Sequence, residues 1–306
     1  MSNRRPCRLF HVDAFTRERF CGNPAIIVLD ADALSEEQMQ TMAAEINGET
    51  AFVLEAESSD HDLQIKYFTP RHPVAFVGHA TIAAHYVLAK KMDMPERRLR
   101  LRTDVGIVEI DVTQVDGDFR IGITQNPPML GPVIPDHHRR QVLDALGISS
   151  PSLHGDCPLQ IMTKGGARLL IGLNSVALLD SLKPNFEELA RLTSHVGAEG
   201  YFVFAAADGT DGQDGQIETI SRMFVPARGI PEDPVSGNAH SMLGVYLVNN
   251  GLLTPREGRA VLRGRQGMWM RRPGTVEIEV ECSGRVAQSV RIIGDAVIIY
   301  EAEIPV

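Results

Sequence analysis

Two stretches of this sequence align with each other without a gap. EQMQTMAAEINGETAFVLEA, Glu37 to Ala56, matches EELARLTSHVGAEGYFVFAA, Glu187 to Ala206. Further matches keep the same order: Phe68-Thr69-Pro70 with Phe224-Val225-Pro226, Gly78-His79-Ala80 with Gly237-Asn238-Ala239, and GIVEIDV at 106–112 with GTVEIEV at 274–280. A repeat of this length exceeds a solenoid unit, so it predicts two domains of one architecture with a cleft between them. Chance similarity of amphipathic segments is the alternative, and the shared order argues against it.

Length and composition agree with two globular domains. A chain of 306 residues exceeds the size at which a single core usually keeps growing. Its 43% hydrophobic and 23% charged residues are ordinary for a globular protein. The net charge of -9, without a basic stripe, argues against a nucleic-acid partner. The arginines at positions 4, 5 and 8 precede no apolar leader, and no apolar run reaches membrane-spanning length. We therefore expect a cytoplasmic protein with no membrane partner.

The cysteines and histidines do not form a metal-binding pattern. Cys7, Cys21, Cys157 and Cys282 lack CxxC spacing, which is typical of reduced, mostly buried thiols. His137 and His138 follow a predicted helix start, where neighbouring side chains diverge, so a solvated helix start is favoured over a ligand pair. HExxH and GxGxxG motifs are absent from the sequence. These patterns therefore argue against a disulfide frame and against a zinc site.

Strand and helix patterns alternate in each half, which predicts the α+β class. In the first half, strands are predicted at 10–15, 25–29, 50–54, 63–68, 98–102, 106–112 and 119–124. Ser35 and Gln38 form a capping box that opens a helix ended by Gly48. An inner helix with small apolar residues on its buried face starts at Gly78. The proline-rich stretch 126–135 is predicted to be a linker.

The second half repeats this order. Asn185 with Glu188 predicts another capping box, and Gly197 another helix stop. A strand is predicted at 201–204 and a second inner helix at 237–248. A further strand at 297–303 has no partner in the repeat, so it is expected to return to the first domain. The predicted domains are therefore 1–128, completed by 296–306, and 129–295, with the active site in the cleft between them.

The two inner helices start with small residues, VGHAT at 77–81 and VSGNAH at 235–240. The first amide groups of a helix lack intrahelical partners and carry the positive end of its dipole, so they attract anions. We expect a small carboxylate-bearing substrate to bind there, at residues that share this location: Gly78, Ala80, Ser236, Gly237 and Asn238. Taken alone, each start is more often simply a helix cap.

Two carboxylates are candidates for acid-base chemistry, Glu49 after the first outer helix and Asp233 just before the helix start at Gly237. Glu49 precedes the apolar run Ala51-Phe52-Val53, and such surroundings raise a carboxyl pKa toward the range of a general acid or base. The alternative is a solvated loop glutamate, and the equivalent Glu199 shows that position alone proves nothing. Asp233 precedes a proline, which restricts it to extended backbone, and the following helix start favours its ionised form. Its alternative is a turn or cap residue.

The motifs together resemble the PhzF family of phenazine-biosynthesis-type isomerases. They are VDAF with GNP (12–15 and 22–24), NGETAFV (47–53), FTP with GHAT (68–70 and 78–81), FVP with GIPEDPVSGNAH (224–226 and 229–240), and IGDAV (293–297). The resemblance covers essentially the whole chain. It implies the diaminopimelate epimerase-like fold, in which two similar domains each curl a barrel-like sheet around a central helix. It also implies a homodimer and no cofactor.

By this resemblance, Glu49 is the general acid/base that moves a proton between carbons of the substrate. His79 and Asp233 match the supporting site residues, and Gly78 and Gly237 match the glycines at the helix starts. Asn238 stands where the phenazine enzyme has a serine, and Pro73 stands where many relatives carry an acidic residue. We therefore expect different contacts with the substrate.

Other enzymes of the implied fold racemise with two cysteines, one before each helix-start glycine. Val77 and Ser236 occupy those positions here, and valine has no proton to exchange, which excludes two-thiol racemisation. Two alternatives stay open from the sequence. One is a small-molecule-binding protein without turnover, and the other is an enzyme that uses another acid-base pair, such as His79 with His240.

Overall fold

The computed structural model describes residues 6–92 and 96–305. Its helices are α1 Glu36–Ile46, α2 Gly78–Lys91, α3 Asp136–Leu146, α4 Ala177–Asp180, α5 Phe186–Val196 and α6 Gly237–Asn249. Its first strands are β1 Cys7–Ala14, β2 Asn23–Leu29, β3 Thr50–Leu54, β4 Leu63–Phe68, β5 Pro73–Val74, β6 Arg97–Thr103, β7 Gly106–Val115, β8 Asp118–Gln125 and β9 Met129–Val133. The others are β10 Gln160–Thr163, β11 Ala167–Leu173, β12 Gly200–Ala206, β13 Gln216–Val225, β14 Ile230–Asp233, β15 Arg259–Gln266, β16 Gly274–Ser283, β17 Val286–Gly294 and β18 Ala296–Ile304. Among these helices, none has both the length and the apolar character that crossing a lipid bilayer requires.

The described residues divide into two compact units. The first unit runs to Gln125 and includes the chain from Ile293 onward, and the second is Asn126–Ile292. Strand β18 belongs to the first unit, where it pairs antiparallel with β1. The predicted linker at 126–135 is wrong in part, because this stretch contains β9, which pairs with β10 in the second unit. Proline is tolerated at interruptions of a ladder, and the register shifts within this pairing.

The two units repeat the same strand order and directions. In the first, β1–β2 is antiparallel, β2–β3 parallel, β3–β4 antiparallel, β4–β6 parallel and β6–β7 antiparallel. In the second, β10–β11, β11–β12, β12–β13, β13–β15 and β15–β16 follow the same alternation. Short strands β5 and β14 pair with β4 and β13 at equivalent places. The sequence repeat is therefore a structural repeat of an α+β unit.

Helix α2 is the centre of the first unit. It packs against β1, β2, β3, β7, β8 and β18, which lie at both ends of the strand order, so the sheet curls around the helix. Every residue from Ala80 to Ala89 is buried. The predicted buried face is confirmed, but the helix is enclosed on all sides rather than on one, because the curled sheet surrounds it. In the second unit, α6 is buried in the same way from Ala239 to Val248 and packs against β10, β15 and β16.

The outer helices show how local sequence sets their ends. The capping box of α1 is confirmed, with the Ser35 hydroxyl accepting from the Gln38 amide and the Gln38 side chain accepting from the Ser35 amide. At the other end, Asn47 rather than Gly48 adopts the left-handed conformation. Asparagine tolerates this conformation better than most residues, so it can replace glycine as the stop. Helix α5 ends at the predicted Gly197, but Asn185 makes only the side-chain half of the expected capping box.

Candidate active site

Glu49 lies between the end of α1 and the start of β3. Its backbone carbonyl accepts a hydrogen bond of 2.9 Å from the amide of Ile26 in β2, which fixes the turn in the parallel ladder. Its side-chain Oε2 lies 3.2 Å from Nε2 of His79, the second residue of α2. The Glu49 side chain is 39% exposed, whereas that of His79 is 11% exposed. The fold thus joins two predicted site residues into an acid-base pair that solvent reaches from the Glu49 side.

The pKa of Glu49 is lowered, so the expectation of a raised value is wrong for this arrangement. Partial burial of the carboxyl does raise its pKa, as the apolar sequence around it suggested. The contact with the His79 ring and the charge of that ring act in the opposite direction and outweigh burial. The carboxylate is therefore ionised at neutral pH.

The start of α2 leaves amide groups available next to this pair. Val77 is the N-cap residue and makes no side-chain hydrogen bond. The amide of Thr81 donates to the Val77 carbonyl at 3.0 Å, as in a regular helix. Within the part of the chain that the structure describes, the amides of Gly78 and Ala80 have no acceptor. These are donors of the kind that bind a carboxylate at a helix start.

The second predicted group lies in the second unit, at the start of α6. Ser236 is the N-cap, and its hydroxyl accepts from the amide of Ala239. The Asn238 side chain donates to the carbonyl of Lys164 at 2.7 Å. Both side chains therefore make their hydrogen bonds within the second unit. Across residues 6–92 and 96–305, the backbone amides of Gly237 and Asn238 have no acceptor. At this helix the backbone, rather than Ser236 or Asn238 side chains, offers donors to a ligand.

Asp233 ends strand β14, opposite Met223 of β13, and is partly buried. The extended backbone expected before Pro234 is confirmed by this strand. Its carboxylate lies in the electrostatic range of Arg168, a guanidinium whose pKa is lowered by burial while the charges of Glu199 and Asp233 act to raise it. Sequence reasoning missed this arginine, because nothing in the local pattern around β11 distinguishes it from a solvated strand residue.

The predicted residues therefore gather in two groups, one within each unit. Glu49, Gly78, His79 and Ala80 lie together in the first unit. Asp233, Ser236, Gly237 and Asn238 lie together in the second. A surface cavity of about 620 Å³ in the first unit has a polar lining that includes His61, Gln64 and Arg102, and none of the predicted residues line it.

His240 does not suit the alternative acid-base pair. It is fully buried, its Nδ1 lies 2.7 Å from the Ser236 carbonyl, and its Nε2 lies 3.3 Å from the Ser221 hydroxyl. Burial lowers its pKa to about 4. A ring with both nitrogens used inside its own unit presents none to a substrate, so the pairing of His79 with His240 is wrong.

The thiols do not lie at the helix starts. Val77 and Ser236 are the N-cap residues, so neither position before a helix-start glycine carries the cysteine that two-thiol racemisation needs. Cys7 and Cys157 are buried, and burial raises the pKa of both, that of Cys157 to about 11. Across residues 6–92 and 96–305, no three His, Cys, Asp or Glu side chains are grouped so that they could hold a metal ion.

The family model PhzC-PhzF, described as phenazine biosynthesis-like protein, matches residues 12–302. The chain belongs to the PhzC-PhzF family. The resemblance drawn from the sequence motifs is thereby confirmed.

Relatives of this PhzC-PhzF chain include proteins named as isomerases. An uncharacterized isomerase of Clostridium acetobutylicum is 36% identical over 301 residues, covering 98% of both chains. The trans-2,3-dihydro-3-hydroxyanthranilate isomerase of Pseudomonas aeruginosa is 30% identical and covers 93% of this chain and 94% of its own. These names support an isomerase.

Solved structures support the same PhzC-PhzF assignment. A PhzF-family protein from Bacillus anthracis has a TM-score of 0.84 at 26% identity, covering 98% of this chain and 99% of that one. A hydroxyproline epimerase from Agrobacterium vitis, 13% identical, shares the fold with a TM-score of 0.63, covering 99% and 94%. The diaminopimelate epimerase-like fold, with two similar units of curled sheet, is therefore confirmed.

Proposed function

We propose that this PhzC-PhzF protein is a cofactor-independent isomerase that moves a proton between two carbons of a small carboxylate-bearing substrate. The observation that carries the proposal is the contact of 3.2 Å between the ionised Glu49 and His79, beside the open amides of α2. A base must be deprotonated and accessible before it can act. The lowered pKa of Glu49 keeps its carboxylate ionised, and 39% of its side chain is exposed.

In this reaction the Glu49 carboxylate removes a proton from a carbon next to an unsaturated or carboxyl group. The electron pair of the broken C–H bond delocalises into that group and forms an enolate-like anion. Glu49 then returns the proton to a second carbon, where a new C–H bond forms. The substrate is neither oxidised nor reduced, and the protein regains its starting charge.

The other predicted residues bind and stabilise in this scheme. The amides of Gly78 and Ala80 donate to the substrate carboxylate and to the negative charge that develops on it, and the amides of Gly237 and Asn238 are donors of the same kind in the second unit. His79 keeps Glu49 ionised and oriented between turnovers. Asp233 positions the substrate.

The test is hydrogen movement in deuterated water. The first compound is trans-2,3-dihydro-3-hydroxyanthranilate, which the Pseudomonas aeruginosa relative is named for, and small unsaturated carboxylic acids follow. We expect one carbon-bound hydrogen to move or exchange in the wild type, followed by NMR and mass spectrometry. Glu49→Gln should slow this by about 1,000-fold, since general acid-base catalysis contributes on this scale.

Glu199→Gln is the matched control, because it removes the same group from the equivalent position of the second unit. It should exchange hydrogen at the wild-type rate. Turnover of Glu49→Gln equal to the wild type would refute the proposal. Ligand-induced thermal stabilisation without hydrogen movement would instead identify a binding protein that has lost turnover.

A further inference from the structure

The end of strand β15 supports the segment that carries Asp233. Gln266 is fully buried, and its side chain uses both ends of its amide on this segment. Its Nε2 donates to the backbone carbonyl of Asp233 at 2.6 Å, and its Oε1 accepts from the backbone amide of Ser236 at 3.1 Å. A single side chain therefore fixes the distance between Asp233 and the N-cap of α6.

Two glycines of the same strand end allow this close approach. A Cβ at Gly267, whose φ is +88°, would lie 2.7 Å from the carbonyl oxygen of Pro234. A Cβ at Gly264 would lie 1.9 Å from Cδ2 of His240, in the first turn of α6. Any larger side chain at either position would displace the segment. We call Gly264, Gln266 and Gly267 the β15 brace.

We infer that Gln266 is a positioning residue, which holds Asp233 and the first amides of α6 in one arrangement for the reaction. The inference rests on the proposed function, and it deepens the role of Asp233. Because the Ser236 amide is occupied by Gln266, the brace also restricts the donors of α6 to Gly237 and Asn238. Sequence reasoning missed the brace, since Gln266 is distant from Asp233 along the chain and lies in an ordinary strand pattern.

Glutamine suits this place because the segment presents one acceptor and one donor to a buried, uncharged position. An ionised glutamate has acceptors only, so it could keep the bond from Ser236 but not the bond to Asp233, whereas a protonated glutamate could make both. A methionine of similar length makes neither bond. The two substitutions therefore remove different numbers of the hydrogen bonds that Gln266 makes.

The experiment compares Gln266→Met and Gln266→Glu with Leu262→Val, a fully buried control on the same face of β15 without a bond to the segment. Hydrogen exchange of peptides covering 233–240 is followed by mass spectrometry, and kcat and KM are measured with the compound that shows hydrogen movement in the test of the proposed function. We expect Gln266→Met to speed exchange at Ser236 and to lower kcat about 100-fold, the scale of a misplaced catalytic group. Gln266→Glu should lose less, and Leu262→Val should retain the wild-type kcat.

Two results would overturn the inference. One is unchanged exchange at Ser236 in Gln266→Met, which would show that the brace does not hold the segment. The other is a kcat that falls no further in Gln266→Met than in Leu262→Val, which would make the role merely structural. A wild-type protein that moves no hydrogen would refute the proposed function separately, and the exchange result would still decide whether Gln266 holds Asp233 in place.

Discussion

Glu49 and Glu199 occupy the same position in the repeat, one after α1 and one after α5, yet their neighbours differ. Glu49 contacts the imidazole of His79, a type of side chain whose reference pKa lies close to neutral pH. Glu199 forms ion pairs with Arg168 and Arg228, whose guanidinium groups stay protonated. A carboxylate between two permanent cations is suited to holding structure, whereas one beside a histidine is suited to exchanging protons. The duplicated fold thus supplies two equivalent positions, and the partners decide which one can do chemistry.

At a second pair of equivalent positions, the second unit rather than the first has the candidate site residue. Val74 of β5 lies opposite Tyr67, and Asp233 of β14 lies opposite Met223, at the same place in each sheet. The first unit therefore carries the acid-base pair with an apolar residue at this place. The second carries a fixed carboxylate with an asparagine, Asn238, where the first has His79. Each unit keeps the scaffold and the helix start but has only some of the residues that the proposed function uses.

After the loss of Glu49 itself, the largest expected effect tests the histidine side of this comparison. In His79→Gln, the ring charge that lowers the pKa of Glu49 is gone while burial still raises it, so this pKa should rise. The acidic limb of the kcat/KM profile should then move to higher pH, and kcat/KM at pH 7 should fall roughly 100-fold. His72→Gln, at an exposed histidine of the same unit, should change neither. An acidic limb that stays in place in His79→Gln would contradict the coupling of the pair.

The next effect concerns the ion pairs of Glu199 with arginines and is measured as a change in the free energy of unfolding. In Glu199→Gln, the 13% exposed side chain of Arg168 loses a charged partner in a poorly solvated place. We expect the free energy of unfolding to fall by about 1 kcal/mol, because Glu199 itself is 37% exposed and water replaces part of the interaction. Urea unfolding measures the loss, and hydrogen movement should stay at the wild-type rate. Loss of activity in this variant would show that the two glutamates are not functionally distinct.

The sequence predicted the features that depend on neighbours along the chain. The capping box at Ser35, the strands Thr50–Leu54 and Leu63–Phe68, and the helix start at Gly78 all agree with the structure. The residue that ends α1 was predicted wrongly, because asparagine as well as glycine can adopt the left-handed conformation, as Asn47 does. Strand β9 was missed because it contains a proline, which is rare in strands. The lowered pKa of Glu49 required knowledge of a tertiary partner, because apolar neighbours in sequence report burial and not the approach of His79.

A third prediction compares the histidines inside the two central helices. His85 of α2 and His240 of α6 are fully buried, and burial lowers the pKa of each to about 4 from 6.5. As the pH falls below 6.5, the unfolded chain binds protons that the folded chain does not. Each histidine should therefore lower the free energy of unfolding by about 1.4 kcal/mol for each pH unit between pH 6.5 and about pH 4. Above pH 6.5 this loss is absent. Urea unfolding between pH 4 and 7 measures this slope.

His85→Leu should remove half of this histidine contribution. The Nε2 of His85 has no hydrogen-bond partner among the described residues, so leucine sacrifices only the bond from Nδ1 to the Thr81 carbonyl. His240→Leu also loses the contact with Ser221, so it should cost more stability at neutral pH. An unchanged slope in His85→Leu would show that this histidine is not held neutral in the core.

The smallest expected effect compares the two helix starts. Val77 and Ser236 have similar extended backbones, with φ of -133° and -112°, but only Ser236 caps an amide. Val77→Thr keeps the branched shape and adds a hydroxyl that can accept from the amide of Ala80. We expect the free energy of unfolding to rise by about 1 kcal/mol, the usual contribution of an N-cap.

The same hydroxyl occupies a donor that the proposed function assigns to the substrate. Binding of 2-aminobenzoate, a stable carboxylate probe, should therefore weaken about threefold in calorimetric titrations of Val77→Thr, since one hydrogen bond is exchanged for another. Ser236→Ala is the mirror variant and should lose about 1 kcal/mol of stability. If Val77→Thr is more stable yet binds the probe as tightly as the wild type, the open amides of α2 do not bind the carboxylate. The missing cap at Val77 would then be a defect of the helix rather than a feature of the site, because an unsatisfied amide that no ligand uses only reduces stability.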